Sequence, residues 1–283
     1  MARVFMKGCE AIAEAAVRAG CRFYAGYPIT PQNEIPEYLS RRMPEVGGTF
    51  VQGESEVASI NMVYGAAATG TRAMTSSASC GISLKSEGVS FMASARLPAV
   101  YCNISRGGPG IGAIQPAQQD YNQATKASGN GGFRMIVFAP STVQEAADLT
   151  YLAFDYAQRD RNPVLILGDG VIGTMMEPVE LPPERSAEEV LNLKRENLSW
   201  CLHNRRPGEP RVVIDPGRWI PTEMEKLNIA AAELYRSWEE NDVQVEEYLV
   251  EDAEVILTGF GISGRIAKSA VDHMRRDGYK VGL

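Results

Sequence analysis

Residues 1–177 predict an α/β fold, a parallel sheet flanked by helices, and three observations carry that expectation. Apolar residues at helical spacing alternate along the chain with short strand-like runs. Three of those runs, residues 99–104, 134–138 and 164–167, are apolar on both faces, as buried parallel strands are. An alanine-rich helix expected over residues 55–69 has the small side chains that let a helix lie close on a sheet.

The elements follow in order. Cys9, Ile12, Ala16 and Ala19 recur at helical spacing, and Gly20 is placed to end that helix. A strand over 22–25 runs into the turn Gly26-Tyr27-Pro28, and Pro31 opens a helix to about residue 42. Strands are expected at 49–52 and 72–76. Between the strands at 134–138 and 164–167, a helix carries Val143, Ala146, Thr150, Ala153 and Ala157 on one face.

Composition shifts at Pro178. The run Pro178-Val179-Glu180-Leu181-Pro182-Pro183 cannot continue a helix or a central strand. Residues 178–252 are polar and charged and read as a linker with one helix over 228–241, packing on partner chains. From Glu254 a βαβ unit begins, with a strand at 255–258, a glycine turn at 259–264, a helix at 265–277 and a strand from Tyr279. A lone βαβ unit cannot bury both faces of its sheet. Residues 253–283 are therefore expected to be the truncated beginning of a small α/β domain, or one completed by a neighbour.

Composition narrows the function. The 283 residues carry a net charge of −7, which argues against nucleic acid as a partner. No apolar run reaches the roughly 18 residues of a membrane span. The start Met1-Ala2-Arg3-Val4 lacks a signal-peptide core, so a cytoplasmic location is expected. Cys9, Cys21, Cys80, Cys102 and Cys201 are scattered without a Cys-x-x-Cys pair. Iron–sulfur and zinc sites need clustered thiolates, so these five read as reduced core cysteines. His203 and His273, the only histidines, form no cluster and are expected on the surface.

Five segments carry a resemblance: Gly26-Tyr27-Pro28-Ile29-Thr30-Pro31, Gly53-Glu54-Ser55-Glu56, Met74-Thr75-Ser76-Ser77, Ser105-Arg106-Gly107-Gly108-Pro109-Gly110 and Leu167-Gly168-Asp169-Gly170. In order and spacing this set resembles the 2-oxoacid:ferredoxin oxidoreductase family. Among its branches it is most similar to the branched-chain (3-methyl-2-oxobutanoate) enzymes, with the 2-oxoglutarate branch next. The resemblance implies the pyrimidine-binding domain of the thiamine-diphosphate fold for residues 1–177, and a transketolase-C-terminal-like start for 253–283.

It also implies a chemistry. A carboxyl group hydrogen-bonded to the aminopyrimidine of thiamine diphosphate favours the imino tautomer, whose nitrogen takes the thiazolium proton. Glu56 matches that carboxyl position, and Glu54, on another side of the helix start, is its rival. As plain sequence, Glu56 reads first as an acidic residue in a first helical turn, and only the family register favours the catalytic role. Thr30 and Arg106 match the family's substrate contacts, where a hydroxyl and a guanidinium hold the 2-oxoacid carboxylate. Without the resemblance, Thr30 and Pro31 read as an N-cap and first helical residue, and Arg106 as a solvated turn arginine. Pro28, Glu56 and Arg106 are the implied cofactor contacts. The glycine run after Arg106 has neither the Lys-Ser/Thr of a P-loop nor a dinucleotide fingerprint.

Gly168-Asp169-Gly170, with Asn197 downstream, imitates the magnesium motif of thiamine enzymes. The prolines between them leave no element to bring Asp169 and Asn197 together, and no metal ligand is expected here. The resemblance instead assigns the diphosphate and magnesium to a beta-type partner. Iron–sulfur clusters are implied on that or a further, gamma-type subunit, with ferredoxin as the electron acceptor. The implied reaction is oxidative decarboxylation of a 2-oxoacid with coenzyme A, active only in the heteromer. A 2-oxoglutarate enzyme, a non-oxidative thiamine enzyme half and a non-catalytic assembly subunit are the other readings open at this point.

Overall fold

The computed structural model describes residues 3–126 and 128–283. Met1 and Ala2, part of the N-terminal expectation, lie outside the described residues.

The chain opens with β1 (Val4–Lys7) and α1 (Gly8–Arg18), and then β2 (Phe23–Gly26) leads into α2 (Glu34–Glu45). β3 (Thr49–Gln52), α3 (Glu56–Ala68), β4 (Ala73–Ser77), α4 (Cys80–Ala95) and β5 (Val100–Ser105) continue the alternation. After the short α5 (Tyr121–Thr125) come β6 (Ile136–Phe138), α6 (Val143–Asp160), β7 (Val164–Asp169) and α7 (Gly170–Thr174). Six strands form one sheet in the order β3-β2-β4-β5-β7-β6, and every pairing is parallel.

Two apolar cores sandwich this sheet. On one face Ile12, Ala16, Leu39, Met43, Ala153 and Phe154 bring α1, α2 and α6 together. On the other, Ile60, Val63, Ile82, Val89 and Met92 do the same for α3 and α4. Full burial of each large aliphatic side chain contributes about 1.5–3 kcal/mol, and that drives the layering. β4, β5 and β7 are buried along their whole length, as interior parallel strands must be. β6 was expected to be buried on both faces, but it is the edge strand and only Phe138 is fully covered.

Several expectations need correction. α4 is absent from the sequence reading, because Gly81, Lys85 and Gly88 interrupt its apolar face. β1 pairs antiparallel with β8 (Met176–Val179), a ribbon beyond the main sheet in which Pro178 faces Phe5. Pro31 does not open α2: the Thr30–Pro31 bond is cis, a turn joins Ile29 to Gln32, and Asn33 is the residue before the helix.

Residues 178–252 hold two helices, α8 (Ala187–Glu196) and α9 (Pro221–Asn241), with a single 3-10 turn at Asn197–Ser199. The stretch lies against this chain's own α/β layers. Asn197 Nδ2 donates to Gly70 O at 3.1 Å, Leu202 N to Ala68 O at 2.7 Å, and Trp238 Nε1 to Asp160 Oδ2 at 2.8 Å. Beyond it, β9 (Val255–Ile256), α10 (Gly261–Arg276) and β10 (Val281–Gly282) make a two-stranded parallel βαβ unit. Among the described residues, no helix is long and apolar enough to cross a membrane.

Candidate functional site at the carboxyl edge of the sheet

The strand order reverses between β2 and β4. After β2 the chain leaves for α2 on one face of the sheet, and after β4 it leaves for α4 on the other. A crevice necessarily opens where neighbouring strands send their connections apart, and ligands of open α/β sheets bind there. Three turns border it: residues 27–33 after β2, 78–79 after β4, and the segment that begins at Arg106 after β5.

Arg106 is 6 % exposed, so it is not a solvated turn arginine. Its Nη1 donates to Thr30 O at 2.8 Å and its Nη2 to Ile111 O at 2.7 Å, with Cys80 Sγ 3.3 Å from Nη2. Nε is buried and has no acceptor. A guanidinium fixed by two carbonyls, with a donor left over, suits an incoming carboxylate. Thr30 reaches Arg106 through its backbone carbonyl and stays exposed, as does Pro28.

The turn beneath Arg106 is braced by residues that the sequence did not single out. Asp120 Oδ2 accepts from Ser79 Oγ and Asn103 Nδ2, each at 2.7 Å, and from Ser105 Oγ at 3.0 Å. Arg106 N donates to Ser79 Oγ at 2.9 Å. Ser79 has φ +28°, a strained value for a residue with a Cβ, and these bonds hold it there. Cys80, next in the chain, is half-buried at the crevice, whereas Cys9, Cys21, Cys102 and Cys201 are buried. It is thus a site-lining thiol and not a core cysteine.

Glu56 begins α3 behind the N-cap Ser55, whose hydroxyl accepts from Ala58 N at 3.1 Å. Glu56 is 6 % exposed, while Glu54 is open to solvent. No hydrogen bond reaches the Glu56 carboxylate among the described residues. It lies against the first turn of α4, where a Cβ on Gly81 would stand 2.6 Å from Glu56 Oε1 and 2.0 Å from Ser77 Oγ. The Ser77 hydroxyl is buried and also without a partner among the described residues. Lys85, one turn further along α4, is fully buried and donates to Thr75 Oγ1 at 2.9 Å. Burial pushes its ammonium down to about 7, and the negative charge of Glu56 pulls the other way.

Asp169 and Asn197 do not converge. Asp169 ends β7 at the carboxyl edge of the sheet, and its Oδ1 accepts from Val171 N and Ile172 N at 3.0 Å. Its Oδ2 accepts from Ile262 N at 2.8 Å, at the start of α10. Asn197 is bonded to Gly70, just ahead of β4 and therefore at the opposite edge. A strand of this length separates the two edges by about 17–20 Å. His203 and His273 are exposed. Among the described residues, no group of three or more His, Cys, Asp or Glu is placed to hold a metal ion.

Comparison with known proteins identifies this arrangement. A family model described as pyruvate flavodoxin/ferredoxin oxidoreductase, thiamine diP-bdg, matches residues 14–236. The ketoisovalerate oxidoreductase subunit VorB of Methanothermobacter marburgensis is 50% identical over 283 residues, covering 100% of this chain and 78% of that protein. The 2-oxoglutarate synthase subunit KorA of Methanocaldococcus jannaschii is 33% identical over 306 residues, 98% of this chain and 80% of that one. Among solved structures, 2-oxoglutarate:ferredoxin oxidoreductase from Magnetococcus marinus, with 2-oxoglutarate, coenzyme A and succinyl-CoA bound, superposes with a TM-score of 0.83. That match covers 99% of this chain and 53% of the solved one; its 24% identity speaks for the fold alone.

The parallel sheet with its crevice of turns is thus the α/β thiamine-diphosphate-binding fold. The chain belongs to the pyruvate flavodoxin/ferredoxin oxidoreductase family, as an alpha-type subunit of the 2-oxoacid:ferredoxin oxidoreductases that is more similar to the VorB relatives than to the KorA ones.

Proposed function

We propose that this chain supplies the activating carboxylate and the carboxylate-binding arginine of a thiamine-diphosphate-dependent 2-oxoacid:ferredoxin oxidoreductase that acts on 3-methyl-2-oxobutanoate. The observation that carries the reading is the buried Glu56 side chain, whose carboxylate takes no hydrogen bond among the described residues and packs on the first turn of α4 at Gly81, next to the Cys80 thiol that Arg106 touches. An unpartnered buried acid is costly unless a ligand completes it. The aminopyrimidine edge of thiamine diphosphate offers a ring nitrogen that such an acid can protonate. The cofactor, when bound, supplies the nucleophilic thiazolium carbon.

The residues then divide the work. Glu56 would exchange a proton with the ring nitrogen and so govern how readily the bound cofactor loses its own proton. Arg106 holds the 2-oxoacid carboxylate with its spare Nε–H. Thr30, whose carbonyl fixes that guanidinium, presents its hydroxyl to the same group, and Pro28 borders the cofactor from the β2 turn. The diphosphate and its magnesium are held by a beta-type partner. Coenzyme A would take the acyl group as carbon dioxide leaves, and clusters on partner subunits would carry the two electrons to ferredoxin. A cytoplasmic location suits an enzyme that must meet soluble ferredoxin.

A branched-chain substrate is favoured over 2-oxoglutarate by two observations. Identity to the ketoisovalerate subunits is 50% and 48%, against 33% for the KorA relative named above. The segment after Arg106 also carries exposed Ile111 and Ile114 and has no Lys or Arg before Lys126, so it offers no cation for a second carboxylate. The test is turnover by the complex reconstituted from this chain and its partners, across a panel of 2-oxoacids. The reading expects 3-methyl-2-oxobutanoate to give the highest kcat/KM. Preference for 2-oxoglutarate would overturn the substrate assignment, and absence of ferredoxin reduction with every 2-oxoacid would overturn the reaction.

A further inference from the structure

Lys85 is a fully buried lysine on the apolar face of α4. An ammonium has three protons to donate, and this one has a single hydrogen-bond partner among the described residues, the neutral hydroxyl of Thr75. Desolvating a cation for one neutral bond is unfavourable, so its surroundings must supply a counter-charge or accept a neutral amine.

The packing shows where the counter-charge lies. Gly81, Lys85 and Gly88 are spaced to line one side of α4. Opposite them on α3, one turn apart, stand Glu56 and Ile60. A Cβ on Gly81 would meet Glu56 Oε1 at 2.6 Å, and one on Gly88 would meet Ile60 Cγ2 at 2.6 Å. The two glycines bring the helices together, and Lys85 lies between those contacts. From β4, the third element packed against it, comes only Thr75, which is uncharged. Among the described residues, the charge of Glu56 favours the Lys85 ammonium, against the larger opposing effect of burial.

We propose that Lys85 is a positioning residue for Glu56, a buried cation whose charge steers the neighbouring carboxylate and so tunes its proton exchange with thiamine diphosphate. The proposal rests on the Glu56 assignment above. With Lys85 charged, the ammonium attracts the facing carboxylate and would favour passage of its proton to the ring nitrogen. With Lys85 neutral, that attraction is lost. The transfer moves one proton between a Glu56 carboxylate oxygen and the ring nitrogen, and no other reactant is needed. The near-neutral titration of Lys85 places this change inside the working range of an enzyme.

Two measurements test the linkage. The first needs no cofactor: the full chain, labelled at lysine Cε with carbon-13, is titrated by NMR as the unsubstituted protein and as Glu56→Gln. Removing the carboxylate should lower the Lys85 midpoint by about one unit or more, because the charge that favours the ammonium is gone. An unchanged midpoint would overturn the proposal. The second compares kcat–pH profiles of the assembled complex with and without Lys85→Met, a substitution close in length and flexibility. The acid limb should move to higher pH by about one unit, with the 2-oxoacid KM within about twofold. A uniform loss at every pH, as a purely packing role would give, would overturn it. If Lys85→Met fails to fold, the NMR titration decides alone. Turnover by Glu56→Gln would remove the carboxylate reading itself. An inactive Glu56→Gln with an indifferent Lys85 titration would remove only the linkage.

Discussion

Arg106 donates from Nη1 to the backbone carbonyl of Thr30 at 2.8 Å, so the side chain just after β5 fixes the turn that follows β2. The contact spans the strand β4 that lies between them, and it sets the width of the crevice at the switch point. With Nη2 on Ile111 O, the guanidinium plane is held from two sides, and its unpartnered Nε is presented in a defined direction.

Arg106→Lys therefore loses geometry while keeping charge. A single ammonium cannot satisfy Thr30 O and Ile111 O and also grip a carboxylate. Two charge-assisted bonds contribute about 1.5–3 kcal/mol each, so kcat/KM should fall about 10- to 100-fold or more for every 2-oxoacid, with KM raised. A loss confined to one class of substrate side chain would show that Arg106 reads the side chain and not the carboxylate.

Gly81→Ala tests how tightly Glu56 is packed. The added methyl group would fall 2.0 Å from Ser77 Oγ and 2.6 Å from Glu56 Oε1, so both must move. Overpacking of this kind costs about 1–3 kcal/mol. The variant should remain folded by circular dichroism with a lower melting temperature, and its complex should lose kcat far more than KM. Full activity would mean that the carboxylate has freedom the packing does not suggest.

Asp169→Ala should be a stability variant. One carboxylate accepts from Val171 N and Ile172 N at the start of α7 and from Ile262 N at the start of α10, capping two helices at once. Each lost cap costs about 0.5–2 kcal/mol. The melting temperature of the isolated chain should drop by about 4–8 °C for a combined loss of about 2 kcal/mol. Magnesium should leave the unsubstituted chain's melting temperature unchanged. A magnesium-dependent rise that disappears in Asp169→Ala would make Asp169 a metal ligand after all.

Lys85 also predicts a pH dependence of stability. Burial lowers its folded-state value to about 7 from the ordinary 10.5, so between those values the unfolded chain binds more protons than the folded one. Stability should therefore rise with pH across that window, and the penalty should be fully present below it. Denaturant unfolding of the chain at pH 7 and pH 9 should show this gain, and Lys85→Met should flatten it. An equal slope in both proteins would mean that Lys85 is not the titrating group.

The parallel sheet was legible because β2, β3, β5 and β7 carry strand patterns between helices with clean apolar faces, such as Cys9, Ile12 and Ala16 on α1. α4 was not, since its packing face holds Gly81, Lys85 and Gly88 and so lacks the periodic signal. β1 and β8 escaped notice because each has four residues and the pairing joins Val4 to Val179, a register no local pattern encodes. The segments around Glu56, Thr30 and Arg106 stood out through motif order, and the structure brings Thr30 and Arg106 into contact. Asp120 and Cys80 gave no signal, because a lone acid and a lone thiol acquire meaning only when distant turns converge on them.

The central claim is that the Glu56 carboxylate activates the cofactor, and the most direct measurement is the rate at which the thiazolium C2 proton of thiamine diphosphate exchanges with deuterium in the assembled complex. Glu56→Gln keeps the size of the side chain and removes its titratable proton. The account predicts intact assembly and an exchange rate at least about 100-fold slower than in the unsubstituted complex, with turnover falling in parallel. An exchange rate within a few-fold of the unsubstituted complex would contradict it and turn attention to Glu54.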